Sequence, residues 1–91
     1  MPRVAIILLH QGRNHTKSRL ILERIEKSGV FGISEIYVKS VKFMKWLMNN
    51  DQKLEINTFP SFLVAQEGKR TESYPGNDVD IIISMVNELN S

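Results

Sequence analysis

The sequence predicts an α/β domain in which a four-stranded mixed sheet, with the first strand at its centre, carries three helices on its two faces. A continuous apolar run near the N-terminus is typical of a central strand, because such a strand is covered on both faces. Strands and amphipathic helices alternate in the first half of the chain, and a β-hairpin followed by a last helix makes up the second half. We assign all 91 residues to one domain, since a chain of this length closes one small core.

Two segments rich in β-forming residues predict the first strands. Residues 4–9 are apolar without interruption, and we name them β1. Residues 33–38 combine β-branched and aromatic side chains and predict β2. Because a helical segment separates them, a right-handed unit with β1 and β2 parallel is the natural topology.

The helix between these strands, α1, is predicted to run to about residue 27. Polar residues before it supply candidate N-caps, which are Asn14, Thr16 and Ser18. Its apolar positions recur at three- and four-residue spacing, at Ile21, Leu22 and Ile25. Gly29 follows Ser28 and predicts the end of the helix.

The second helix, α2, is predicted over residues 41–51 and carries two apolar stripes. One stripe is the expected core face, formed by Val41, Met44, Leu47 and Met48. Phe43 and Trp46 lie toward a neighbouring face. A small domain does not need both stripes to close its core, so the aromatic pair is a candidate contact surface. The alternative interpretation is that the pair thickens the core.

A proline opens the predicted hairpin. Pro60 stands directly before an apolar run, where proline can only begin a strand, so β3 starts at Ser61. A polar turn at residues 66–69 leads into β4, predicted at residues 70–74 and antiparallel to β3. The expected strand order is β2-β1-β3-β4.

The last helix, α3, is predicted to open at Asn77, with Asp80 completing an acidic variant of the capping box. It is apolar around most of its circumference. The core-facing side is formed by Val79, Ile82, Val86 and Leu89. Ile81 and Met85 lie beyond that side and add a second candidate contact surface.

Two segments resemble proteins of the thioredoxin superfamily, and the glutaredoxin branch most closely. Thr58-Phe59-Pro60 before an apolar strand is similar to the Thr-Val-Pro of that branch. Gly76 and Asp78 match the paired glycines, variable residue and aspartate that precede the last helix of glutaredoxins, while Pro75 replaces the first glycine. The resemblance implies a thioredoxin-like fold and a cis peptide bond before Pro60.

The chain has no cysteine, which excludes thiol–disulfide exchange, disulfide bonds and cysteine zinc sites. The Cys-x-x-Cys motif of the family would fall on residues 14–18, with His15 and Ser18 in place of the two cysteines. Neither imidazole nor alcohol takes part in disulfide exchange. We therefore expect no oxidoreductase activity and assign no catalytic residue.

The start of α1 gathers basic side chains at a helix N-terminus, where backbone N–H groups and the helix dipole favour an anion. These side chains are Arg13, His15, Lys17 and Arg19. The alternative interpretation is a basic turn exposed to solvent. His10 and His15 are the only histidines, and without a third ligand nearby they predict no metal site.

The resemblance also implies a glutathione site. In the glutathione-binding branch, Phe59 beside Pro60 would offer backbone hydrogen bonds to the tripeptide, and Asp78 would meet its γ-glutamyl amine. A hydroxyl such as that of Ser18 would then have to stabilise the thiolate. No other cofactor is expected.

The composition of the chain limits the classes of partner and the location that we expect. The net charge of +2 is spread along the chain without a basic stripe, so nucleic-acid binding is not expected. No apolar segment is long enough to span a bilayer or resembles a signal peptide, which predicts an intracellular protein that is not secreted and does not enter a membrane. The abundance of Ile, Asn and Lys is compatible with an AT-rich genome, such as that of a large DNA virus.

The leading hypothesis is a redox-inactive thioredoxin-like module that binds another protein, forms a homo-oligomer, or belongs to an assembly such as a virion. Its candidate interface residues are Phe43, Trp46, Ile81 and Met85. One alternative is a glutathione-binding or glutathione-dependent protein, and another is a weakly basic adaptor that contacts nucleic acid. Glutathione titration tests the first alternative, and salt-dependent binding to DNA or RNA tests the second.

Overall fold

The computed structural model describes residues 3–91. These residues form a four-stranded sheet in which β1 is an internal strand. In chain order the elements are β1 (Val4–His10), α1 (Thr16–Ser28), β2 (Ile33–Tyr37), α2 (Val41–Leu47), a 3-10 helix (Asn50–Gln52), β3 (Ser61–Gln66), β4 (Glu72–Pro75), a second 3-10 helix (Gly76–Asp78) and α3 (Val79–Leu89). β1 pairs in parallel with β2 and antiparallel with β3, and β3 pairs antiparallel with β4. The predicted strand order β2-β1-β3-β4 is confirmed.

Alternate side chains of β1 enter two separate apolar clusters, one on each face of the sheet. Ile6 and Leu8 contact the larger cluster, which α1 and α3 complete with Leu22, Ile25, Val79, Ile82, Ile83 and Val86. Leu9 contacts the smaller cluster, which contains Leu47 of α2. Helices therefore lie on both faces, and this explains why the sequence of β1 is apolar at successive positions rather than alternate ones.

The structure corrects the predicted caps of α1 and α3. The N-cap of α1 is His15, whose side chain accepts the Ser18 N–H, so none of Asn14, Thr16 and Ser18 caps the helix. An imidazole nitrogen can accept this bond as an Asn or Ser oxygen would. The box of Asn77 and Asp80 does not form either, because residues 76–78 make a 3-10 turn and the N-cap of α3, Asp78, has no side-chain cap bond.

α2 is shorter than predicted and buries less. It ends at Leu47, and the Asn49 side chain accepts the Asp51 N–H at 2.8 Å, a local bond that competes with continued helix. Leu47 is buried, but Val41 and Met48 are 62% and 39% exposed, so their assignment to the core face was wrong. A helix of two turns touches the sheet through a narrow arc and leaves these side chains outside it.

His10, at the end of β1, fixes the turn into α1. Its Nδ1 accepts the Gly12 N–H at 3.0 Å, and its ring stacks on Tyr37 with centroids 5.7 Å apart. Gly12 has a φ of +88°, which favours glycine, and a Cβ there would lie 2.9 Å from the Tyr37 ring. Burial lowers the pKa of His10 below its ordinary 6.5, although Glu35 raises it in part and Arg13 lowers it further.

This shift makes the free energy of unfolding depend on pH. The unfolded chain binds a proton at His10 more readily than the native protein does. The contribution of neutral His10 to the free energy of unfolding should therefore be fully present above about pH 6.5 and be lost as the pH falls through the native pKa. Urea unfolding from about pH 8 to about pH 5 measures this slope. The variant His10→Asn, whose carboxamide oxygen can still accept the Gly12 N–H, should show a flatter slope.

The control for this measurement is Val86→Ala, which shortens a buried side chain and changes no titratable group. It should lower stability by a similar amount at every pH. A His10→Asn variant with the same slope as the unaltered protein would contradict the assignment of this pH dependence to His10.

Candidate functional site

Two depressions lie on either side of the loop that precedes β3. The wide groove has a volume of about 580 Å³ and lies between the start of α1, the end of α2 and this loop. Its lining combines polar and apolar side chains and consists of Gln11, Asn14, His15, Thr16, Lys17, Met44, Met48, Asn57, Thr58 and Phe59. The narrow pocket, of about 200 Å³, is lined by Lys17, Leu20, Ile21, Thr58, Phe59, Pro60, Pro75, Gly76 and Asn77. Lys17, Thr58 and Phe59 border both depressions.

The loop between the depressions is held from inside the protein. The Phe59–Pro60 peptide bond is cis, as predicted, and both residues are buried. The buried Ser61 hydroxyl donates to the Thr58 carbonyl. On the other side, Gly76 N–H donates to the Pro60 carbonyl at 2.9 Å.

Gly76 is required here for space. A Cβ at this position would lie 2.8 Å from Pro60 Cγ and 2.9 Å from the Pro60 carbonyl oxygen, with Ile21 at 3.5 Å. Contacts below 3 Å to a ring and a backbone oxygen cannot be relieved by moving a flexible side chain. The residue that the resemblance singled out before α3 therefore sets the distance between the loop and the last helix.

The two residues that the resemblance places at the cysteine positions, His15 and Ser18, bond to each other. His15 Nδ1 lies 2.8 Å from Ser18 Oγ and also accepts the Ser18 N–H at 3.3 Å. Ser18 Oγ in turn accepts the Gln11 N–H at 3.0 Å. Ser18 is fully buried and presents no surface to either depression, whereas His15 lines the wide groove.

The structure brings together only some of the predicted binding residues. His15, Lys17 and Phe59 line the wide groove, and Pro60 joins Lys17 and Phe59 in the narrow pocket. Arg13 instead forms a surface ion pair with Glu26.

The remaining residues of the predicted site line neither depression. Arg19 lies 3.7 Å from Glu23, and half-buried Asp78 lines neither depression. Within the predicted basic cluster, Lys17 is thus the exposed cation that borders both depressions.

Sequence reasoning missed several lining residues. Thr58 belongs to the Thr58-Phe59-Pro60 motif and Asn57 directly precedes it, so their position was a usable signal. Met44 was assigned to the core and does pack against the smaller cluster, but it also lines the wide groove, where the Gln11 side-chain amide donates to its sulfur at 3.4 Å. Nothing in the local sequence indicates that this core-facing methionine also borders a groove.

The predicted contact surfaces separate into exposed and packed residues. Phe43 and Trp46 are 44% and 50% exposed, and their rings stack with centroids 5.8 Å apart and planes within 10°. Ile81 is also exposed. Met85 is half-buried and packs against the larger cluster, so it completes the core instead of extending a free face. Leu89, predicted to face the core, is 49% exposed.

Between residues 3 and 91, no group of three or more His, Asp or Glu side chains is placed to hold a metal ion. The described helices are all too short or too polar to cross a bilayer. Comparisons of the chain with protein-family models, curated proteins and solved structures found no match.

The close contact at Gly76 yields a stability prediction. Gly76→Ala should lower the free energy of unfolding by roughly 1–3 kcal/mol, because the added methyl group forces Pro60 or the start of α3 to move. The matched control is Asn77→Ala, at the exposed neighbouring position, which should have a much smaller effect. Urea unfolding measures both, and equal losses for the two variants would show that the Pro60 contact is not the cause.

Proposed function

We propose that this protein is a redox-inactive, thioredoxin-like module that works by binding another protein. The proposed family relationship is supported by agreement between several independent features. The element order, the strand order and the cis peptide bond before Pro60 all agree with what the resemblance implies. The close approach of Gly76 to that proline adds a physical reason for the glycine in the second matching segment.

The former cysteine positions support a role without thiol chemistry. The His15 and Ser18 side chains hydrogen-bond to each other, and Ser18 Oγ also accepts the Gln11 N–H. The serine hydroxyl is buried. Their arrangement stabilises a helix end. The wide groove beside them offers hydrogen-bonding groups, among them Lys17 and Asn57, which suit recognition rather than covalent chemistry.

The observation that carries the proposal is the exposed, stacked pair of Phe43 and Trp46. About half of each aromatic side chain is open to water. Covering roughly 200 Å² of aromatic surface contributes on the order of 5 kcal/mol before the costs of association, and aromatic residues of this kind dominate protein interfaces. The interpretation that they thicken the core does not fit their exposure.

The aromatic pair and the wide groove are separate surfaces of α2. Successive helical residues are rotated by about 100°, which places Phe43 and Trp46 on one side of buried Leu47 and Met44 on the other. Met44 and Met48 line the wide groove. The aromatic pair is therefore a contact surface distinct from the lining of the groove.

Trp46→Ala should abolish capture of the partner. The protein, immobilised and exposed to extract from its native source, is expected to retain a specific protein that quantitative mass spectrometry detects. Removing the indole should reduce recovery at least about tenfold, because a central aromatic contact contributes about 2 kcal/mol or more. Circular dichroism and urea unfolding should show that the variant remains folded, since its indole is half exposed.

Phe31→Ala is the matched control, since Phe31 is an aromatic residue that is 74% exposed in the loop between α1 and β2. It should leave recovery unchanged. The proposal fails if the unaltered protein retains nothing specific, or if Phe31→Ala reduces recovery as much as Trp46→Ala.

A further inference from the structure

A row of lysines borders the aromatic pair. Lys39, Lys42 and Lys45 are exposed and spaced three residues apart, and the sequence contains no acidic residue from position 39 to position 50. The ion pairs found among the described residues use arginines or His10, and none involves these lysines. This part of the surface is therefore positively charged, and no ion pair among the described residues neutralises these lysines.

Helical geometry places the lysines beside the aromatic rings. With a rotation of about 100° per residue, the order around α2 is Phe43, Trp46, Lys42, Lys45 and Val41. The lysines thus lie between the aromatic pair and exposed Val41. We call these five residues the basic–aromatic face.

We propose that the basic–aromatic face binds an acidic segment of the partner protein, with carboxylates facing Lys42 and Lys45 and apolar side chains covering Phe43 and Trp46. This inference rests on the proposed protein-binding function and specifies its partner. Charge complementarity is the argument, because an acidic segment neutralises lysines that have no acid of their own, while a basic or neutral segment leaves them uncompensated.

The exposed aliphatic side chains favour a protein over a nucleic acid. Val41 is 62% exposed and Met48 is 39% exposed on α2. Ile36, 43% exposed on the edge strand β2, lies opposite Leu9 in the parallel ladder, and Leu9 packs on the α2 side of the sheet. Phosphates and sugars do not cover such aliphatic surface, whereas apolar side chains of a protein do.

A second copy of this chain is a poorer occupant. In a symmetric dimer the same patch meets itself, which would bring the lysines of one copy toward those of the other. Like charges in a contact are repulsive and disfavour that arrangement. Self-association is therefore an outcome that the experiment must distinguish.

Selection from a random-peptide library displayed on phage tests the inference with the intact protein as bait. The recovered peptides should be enriched in Asp and Glu together with large apolar residues, and their affinity should fall as salt rises. The double variant Lys42→Glu/Lys45→Glu should select Lys- and Arg-rich peptides instead. Trp46→Ala should reduce affinity for the original peptides at least about tenfold. Lys69→Glu, at an exposed lysine in the turn between β3 and β4, should leave the selection unchanged.

Three results would overturn the inference. The first is recovery of no peptides, or of peptides without acidic enrichment or without sensitivity to the charge reversal. The second is tighter binding of single-stranded oligothymidylate than of the selected peptides, measured by fluorescence anisotropy. The third is self-association in sedimentation that Trp46→Ala abolishes. If extract capture still depends on Trp46 in the first case, the protein-binding function stands and only the acidic partner is wrong.

Discussion

The arrangement around the candidate site depends on the close approach of Pro60 to Gly76. Without a side chain at residue 76, the Pro60 carbonyl can accept the Gly76 N–H at 2.9 Å and the proline ring can pack against the start of the last helix. This contact ties the loop before β3 to the segment that opens α3. Phe59 then enters the smaller apolar cluster while Phe62 enters the larger one, so the chain passes from one face of the sheet to the other within a few residues. Thr58 and Phe59 of this loop border both depressions.

The free surface of the protein follows from a second constraint, the length of α2. A helix of two turns presents one narrow arc to the sheet, and Leu47 occupies it as the buried side chain of the helix. Apolar residues on the remaining arcs have no described element to cover them. The aromatic pair and the lysines are consequently exposed on α2, and the packing of this helix on the sheet holds it in place. Such a display suits recognition, because the contact residues are held in place before the partner arrives.

The parts of this structure that the sequence predicted are those governed by local pattern. The uninterrupted apolar run of β1 indicated a strand covered on both faces, and Gly29 marked the end of α1 with a φ of 71°. The proline motif led to the cis bond only through resemblance to a family, since most bonds before proline are trans. The errors arose where the outcome depends on tertiary structure. Whether Val41, Met48 or Leu89 is buried depends on whether another element packs over it, and the bond that Ser18 Oγ accepts from the Gln11 N–H joins residues seven positions apart.

The claim that this domain binds a protein through α2 is tested most directly by photocrosslinking in the cells that produce it. A photoreactive benzoylphenylalanine replaces Val41, which belongs to the basic–aromatic face and is largely exposed, and a second variant carries it at Phe31. The account predicts a covalent adduct with one partner protein from position 41 and none with that protein from position 31. Absence of any adduct from position 41, or the same adduct from both positions, would contradict it.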